Sequence, residues 1–285
     1  RHGLTFKLLR SLGSPYADVG GFIVKNNSAE VYAALCKYLV AQKRHWDLLE
    51  LEEIDIVRGK VSLITSILNQ SGCATLETRN RHFYLDTGGN WNDYFRQLPS
   101  KVKHEFRRKA KHVEITACSN FIHHSGTNVT CEDVNTMFAI NEHGHFPEFF
   151  GSAEEKEFHR ELLRHMSARN SIDISFLYFD DKPAAFSYGF IHNDRLEVWR
   201  IGFDTAYSDL SVGVVLMNKL LESCFAGNYK QLDFLRGEEP YKEQWQPQYC
   251  TYSQIRVVPR SKLLSSIVSI WSPKLTRFLQ SLKKK

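Results

Sequence analysis

Residues 233–245, DFLRGEEPYKEQW, place an acid, a lysine and two large aromatics around one glycine turn. Asp233 closes a strand-like run and is a carboxylate able to act as a base on any proton brought within hydrogen-bond reach. Pro240 suits the first position of a helix, and Glu238 and Glu239 suit its positive end. Tyr241 and Trp245 fall four residues apart and share a helical face, while Lys242 points elsewhere. Trp245 reads as a packing anchor, which leaves Tyr241 and Lys242 as the side chains to be explained.

A second stretch, SDLSVGV at 208–214, lies where a loop enters a helix just after a strand. Backbone N–H groups at a helix start are unpaired donors at the positive end of the dipole, so they suit phosphate. Gly213 lets the backbone approach such a group closely. His123-His124 and His143-Gly144-His145 lack both the His-x3-His helical spacing and a partner cysteine pair, so no metal is expected. His145 and Glu148, in the loop HGHFPEFF, read instead as shaping a substrate wall. No Gly-x-Ser-x-Gly or Walker-type loop is present, which sets aside serine hydrolases and nucleotidases.

These stretches need elements to hold them. Helical spacing behind Ser28 predicts a helix over 28–43, then a strand at 46–54, a helix at 58–70 ended by Ser71-Gly72, and an extended segment at 73–87 before Gly88-Gly89. A helix begins at Trp91, and a basic one follows Pro99. Helices at about 130–142 and 153–168 flank the HGHFPEFFG loop. IDISFLYF (172–179), PAAFSYGFIH (183–192) and RLEVWRIGF (195–203), joined by short turns, predict an antiparallel meander. A helix over 208–227, a strand at 230–235 and another at 249–258 complete the order. Strand, helix, strand between Gly202 and Leu235 predicts a parallel pair with a helical crossover.

The chain of 285 residues, 42% hydrophobic and 13% aromatic, is globular in composition and long enough for two domains. No apolar run approaches the roughly 18 residues of a membrane span. The first residue is arginine and no signal peptide is visible, which points to a trimmed N-terminus and a cytoplasmic protein. Six scattered cysteines fit reduced thiols there. The formal charge of +5 favours anionic ligands without specifying nucleic acid. KVKHEFRRKAKH, 101–112, sets six lysines and arginines against Glu105. It reads as a solvated face, or as a surface for an anionic substrate, tRNA or acidic membrane. The tail from Ser261, with Leu263, Ile267, Ile270 and Trp271, is basic and amphipathic, suited to packing on the domain or to an interfacial helix.

Two helices, a meander, a helix and a further strand give the layout of a GNAT-type domain, and local residues strengthen it. The run from Lys182 to Trp245 resembles the bacterial CelD-like acetyltransferases of cellulose and exopolysaccharide biosynthesis, relatives of the FemAB peptidoglycan aminoacyltransferases. The resemblance is carried by Pro183-Ala184-Ala185, Gly202-Phe203-Asp204 with Tyr207, Ser211 and Gly213, and then Asp233, Gly237, Glu239, Tyr241, Lys242 and Trp245. GNWNDYFRQLPSKVKHEFRRKAKHVE and NEHGHFPEFFG also look like this family, so the likeness covers roughly residues 85–250.

The resemblance implies an α/β fold (α+β, with a mixed sheet) of tandem GNAT-like acyl-CoA N-acyltransferase domains, a non-catalytic one at 1–115 and a catalytic one at 116–285. It implies an acetyl-CoA or longer acyl-CoA donor, no metal and no DNA. The acceptor would be an amine or hydroxyl of a cell-envelope, polysaccharide or lipid molecule. The cofactor would lie along Gly202, Phe203, Ser208, Leu210, Ser211, Val212, Gly213 and Val214. Arg200, Asp204, Arg236, Glu239, His145 and Glu148 would face the acceptor. Tyr241 would protonate the sulfur leaving group or line the acceptor channel. Lys242 would stabilise charge at the reacting carbonyl, as a matching lysine does in FemAB-like relatives. Asp233 would orient Lys242 or deprotonate the acceptor. Two alternatives stay open: aminoacyl transfer from tRNA to a peptidoglycan precursor, favoured by the basic segment, and a catalytically silent scaffold. The basic tail would add a peripheral contact with the inner face of the cytoplasmic membrane.

Overall fold

Alternating and helical apolar spacing resolve, in the computed structural model, into nine strands and seven α-helices over the described residues 7–14, 16–25, 28–116 and 119–262. These residues fall into two units. The first takes the described residues up to His82, with Arg236–Glu238 and those from Tyr249 onward. The second takes Phe83–Leu235 and Glu239–Gln248.

In the first unit, β1 (Leu8–Arg10) runs parallel to β2 (Leu48–Asp55). Helix α1 (Ala29–Ala41) starts at Ser28, whose hydroxyl accepts the Val31 N–H, and α2 is Val61–Gln70. The strand β3 (Cys73–Asp86) begins here, and β9 (Gln248–Pro259) pairs antiparallel with β2. Trp46, Leu49, Ile64, Leu68, Ile255 and Val257 form the core. Between Leu51 and Ile54 the β2–β9 register shifts, and Glu53 in that bulge has φ +49°. Glu53 is nonetheless buried, its carboxylate meeting His82 Nε2 at 2.9 Å and the Asn80 amide at 2.8 Å.

The second unit opens with the end of β3, then α3 (Trp91–Gln97) and α4 (Ser100–Thr116). The strand β4 (Ser119–Ser125), helix α5 (Cys131–Glu142) and helix α6 (Ala153–Ser167) follow. Reciprocal capping boxes, Thr130 with Asp133 and Ser152 with Glu155, fix the starts of both helices. Next come β5 (Ile172–Phe179), β6 (Lys182–His192), β7 (Arg195–Phe203), α7 (Val212–Ser223) and β8 (Gln231–Arg236). Strands β4 to β7 are an antiparallel meander, and β7 and β8 are the parallel pair that the crossover helix predicts.

Two strands escape the sequence reading. Three residues of β1 are too short to show a period, and β4 carries adjacent Phe121-Ile122 and His123-His124 in place of alternation. Strand β4 nonetheless pairs with β5 along its whole length, and its histidines face acids: His123 Nε2 lies 2.5 Å from Asp173 and His124 Nδ1 2.9 Å from Asp133. The expected domain break after residue 115 falls inside α4. The amphipathic tail with Leu263, Ile267, Ile270 and Trp271 lies outside the described residues.

Candidate active site

Strand β7 continues to Phe203, yet it pairs with β8 only at Arg195↔Gln231, Leu196↔Leu232 and Glu197↔Asp233. Beyond Glu197 the two strands part, and a cavity of about 590 Å³ opens. Its wall combines Trp199, Arg200, Ile201 and Phe203 of β7 with Ser211 to Val214 at the start of α7, and Glu239, Tyr241 and Trp245 beyond β8.

The start of α7 is open to an anion. Ser211 sits at the N-cap in the left-handed region, φ +53°, and makes no side-chain cap. Its carbonyl takes the N–H groups of Val214 and Val215, so the Val212 and Gly213 N–H groups precede the intrahelical ladder. The first turn carries no acid that would repel phosphate. A Cβ at Gly213 would lie 3.6 Å from the Phe203 ring, across the cavity that both residues line. Backbone donors, an unopposed dipole end and a missing side chain are what a pyrophosphate needs, so these residues fit the cofactor the sequence implies.

On the opposite wall the chain from Glu239 to Trp245 is held by its tryptophan. The Trp245 indole is fully buried, donates to Asn218 Oδ1 at 2.9 Å and stacks on Phe106 and Phe234. Its carbonyl accepts the Tyr94 hydroxyl at 2.7 Å. A 3-10 turn, Lys242–Trp245, starts two residues after Pro240 and sets the Tyr241 ring edge-on to Trp245. Burial, and then the charge of Glu239, push the Tyr241 phenol well above its ordinary pKa, so it holds its proton at neutral pH. Lys242 is buried, outside the lining, with its ammonium 2.8 Å from Glu239 Oε2, and so it reaches the cavity through Glu239.

The aromatic mouth comes from the loop between α5 and α6. The Asn141 amide donates to the carbonyls of Phe146 and Pro147, and Thr205 donates through both N–H and hydroxyl to His143 O. These bonds present Phe146 and Phe149 to the cavity.

Of the residues singled out from sequence, Arg200, Phe203, Ser208, Ser211, Val212, Gly213, Val214, Glu239 and Tyr241 line this one cavity. The others lie elsewhere. A Cβ at Gly202 would stand 2.4 Å from the Phe186 ring, so that glycine serves strand packing. Leu210 packs on the cluster of Leu177, Val212 and Leu216. Asp204 caps the turn after β7 by accepting the Ala206 N–H. Asp233 accepts the Leu235 N–H at 2.7 Å and lies 3.5 Å from Arg195, at the paired end of β8. Arg236 belongs to the first unit, where it meets Asp18 at 2.6 Å. His145 is exposed with its ring edge-on to Phe203, and Glu148 is exposed in the 3-10 turn Pro147–Phe150. Sequence reasoning missed Phe146, Phe149, Trp199, Ile201 and Met217 as lining; the density of aromatics in HGHFPEFF was the available signal for the first two. Among the described residues no group of three or more His, Cys, Asp or Glu side chains is arranged to hold a metal.

Solved structures share the fold at low identity. FemX superposes with a TM-score of 0.59 at 7% identity, over 87% of this chain and 81% of that one. L-PGS from Bacillus licheniformis gives 0.52 at 11%, over 85% and 77%. A conserved protein of unknown function from Bacteroides thetaiotaomicron gives 0.54 at 13%, over 79% and 75%. No curated protein matches the sequence. Identities this low speak for the fold alone, but the acetyltransferase (GNAT) domain matches residues 100–243, just over half of the chain and nearly all of the cavity wall. The protein therefore belongs to the acetyltransferase (GNAT) domain family.

Proposed function

We propose that the protein transfers an acyl group, acetyl or longer, from acyl-coenzyme A to an amine, or less readily a hydroxyl, of a cell-envelope, polysaccharide or lipid molecule. The observation that carries this reading is the parting of β7 from β8 between an uncapped helix start and a half-buried, protonated tyrosine. The bound donor supplies an activated thioester carbonyl. The N–H groups of Val212 and Gly213 and the hydroxyl of Ser211 hold its pyrophosphate at the positive end of α7. The Tyr241 O–H donates to the departing sulfur. Glu239, held in place by Lys242, takes a proton from the acceptor, and the Lys242 ammonium supplies positive charge beside the reacting carbonyl. Asp233 fixes the end of β8 through the Leu235 N–H. The first unit, with two helices against a sheet, serves as the non-catalytic GNAT-like half.

Thermal unfolding with coenzyme A, acetyl-CoA and a long-chain acyl-CoA tests the reading. At a hundredfold excess over Kd, a ligand that binds only the folded state adds about 2.7 kcal/mol. A rise in midpoint with any of the three is expected, and the largest rise names the donor class; no rise with any of them sinks the proposal. The tRNA reading draws on α4, where Lys101, His104, Arg107, Arg108, Lys111 and His112 are exposed. It predicts a salt-sensitive complex with aminoacyl-tRNA and no stabilisation by coenzyme A.

A further inference from the structure

Three helices of the second unit meet in a groove of about 290 Å³ that the acyl-transfer chemistry does not use. Helix α3 gives it Trp91 and Phe95, four residues apart and so on one helical face. Helix α4 gives Phe106 and Arg107, and α7 gives Asn218, Lys219 and Glu222. The rings form a continuous apolar floor, with 5.5 Å between the centres of Trp91 and Phe95 and 6.5 Å between those of Phe95 and Phe106. The Arg107 guanidinium is set over that floor, 5.4 Å from the centre of the Phe95 ring.

Asn218 gives the groove a donor of fixed direction. The Trp245 indole N–H can only donate, so it is the Asn218 oxygen that lies 2.9 Å from it, and the amide's NH2 group branches away. Among the described residues nothing accepts from that NH2 group, and the half-buried Asn218 lines the groove. Lys219 lies 3.3 Å from Glu222, so Arg107 sets the net charge of the lining at plus one. Trp245 lines the β7–β8 cavity and not the groove, and it stacks on Phe106 with ring centres 5.7 Å apart. Groove and cavity are thus two separate sites that meet at the supports of one indole.

We propose that the groove is a second ligand site, for a small aromatic carboxylate. The ring of the ligand rests among Trp91, Phe95 and Phe106, and its carboxylate accepts from Asn218 Nδ2 and the Arg107 guanidinium. The size follows from the volume, which lies at the lower end of the roughly 300–1,000 Å³ of small-molecule cavities and suits one or two fused rings. A second copy of this chain is the competing occupant. It would set one basic α4, with six lysines and arginines against Glu105 over residues 101–112, against another, and like charge opposes that contact.

Calorimetric titration of the full chain with 2-naphthoate, 2-naphthamide and cyclohexanecarboxylate tests the assignment. 2-Naphthoate is expected to bind at least tenfold more tightly than the other two. Asn218→Asp keeps an acceptor oxygen for the Trp245 indole but exchanges the NH2 donor for a negative oxygen, so it is expected to abolish that binding. Arg107→Glu is expected to lose it and Arg107→Lys to keep part of it; Arg107 is exposed, so this pair decides the matter even if the Asn218 variant folds poorly. Equal affinities for the three probes, no binding of naphthoate, or binding that survives Arg107→Glu overturns the inference. Displacement of naphthoate by saturating coenzyme A would move it to the β7–β8 cavity and overturn it as well. A chain that sediments as a dimer, broken by Arg107→Glu, would give the groove to a second copy with the same result. None of these readouts needs acyl transfer, so a failure of coenzyme A and its thioesters to stabilise the fold leaves this site standing.

Discussion

Lys242 shows how a residue can be buried and still electrostatically present in a cavity it does not line. Its ammonium is sealed from water but 2.8 Å from the carboxylate of Glu239, which does line the cavity. Replacing Lys242 by Ala removes that charge and leaves Glu239 with neither its anchor nor its counter-ion. Turnover of acetyl-CoA with a primary amine is expected to fall at least tenfold, or about 1.4 kcal/mol of barrier, with the circular-dichroism spectrum retained. Unchanged turnover would take the lysine out of the mechanism. Tyr241→Phe deletes one oxygen and keeps the ring against Trp245, so it tests the proton alone. A loss of about 10- to 100-fold in kcat with little change in KM is expected, since general acids contribute on that order. A loss confined to KM would assign the tyrosine to acceptor binding. At this scale the sequence was informative about placement: Trp245, read as a packing anchor, is fully buried, and Tyr241 lies on the cavity wall. It was silent where packing alone decides: Gly202 lies in a glycine-phenylalanine-aspartate motif but serves the Phe186 ring, and Trp199 is turned by a bulge that no period reveals.

The elements that make the site are one strand and one helix. Helix α7 buries Val215, Leu216, Leu220 and Leu221, which hold its start beside the end of β7. Gly213→Val would put a side chain into the space between that start and Phe203, where an added Cβ would already stand 3.6 Å from the ring. The KM for acetyl-CoA is expected to rise at least tenfold with the unfolding midpoint nearly unchanged, because the new atoms enter open cavity and not core. A fall in midpoint with normal KM would mean that the glycine serves packing. The meander and the parallel crossover were legible because their turns are short and their apolar runs are bounded. The parting of the two strands was not, because β7 and β8 are each continuous in sequence and the gap exists only in their pairing.

For the molecule as a whole, pH should report on the buried His159 and the half-buried His123, which pull in opposite directions. Burial and Arg200 hold the His159 pKa down to about 4, so the unfolded chain, near 6.5, binds the proton first as pH falls. Its contribution is complete above about pH 6.5 and declines as pH falls toward 4. Burial would lower the His123 pKa too, but the hydrogen bond and charge of Asp173 outweigh it and raise the value. That contribution is complete below about pH 6.5 and is lost as pH rises through the raised value. Urea midpoints are therefore expected to fall between pH 6.5 and 5, and His159→Gln to flatten that limb; an unaltered slope in the variant would assign it to other groups. Among the described residues no helix is long and apolar enough to cross a membrane. Length and composition made a globular chain legible from the start. Which residues belong to which unit was not legible, because Arg236–Glu238 and the described residues from Tyr249 belong to the first unit although most of the second precedes them in the chain.

The early end of the β7–β8 ladder has a consequence for exchange with solvent. Main-chain donors and acceptors of β7 beyond Glu197 border the gap, and unpaired backbone groups are costly unless water or a ligand satisfies them. A donor bearing secondary amides along a flexible arm can take the place of the missing strand there. Deuterium uptake should then slow at Ile201 to Phe203 on saturation with coenzyme A, while amides of β5 and β6, already paired on both sides within the meander, keep their rates.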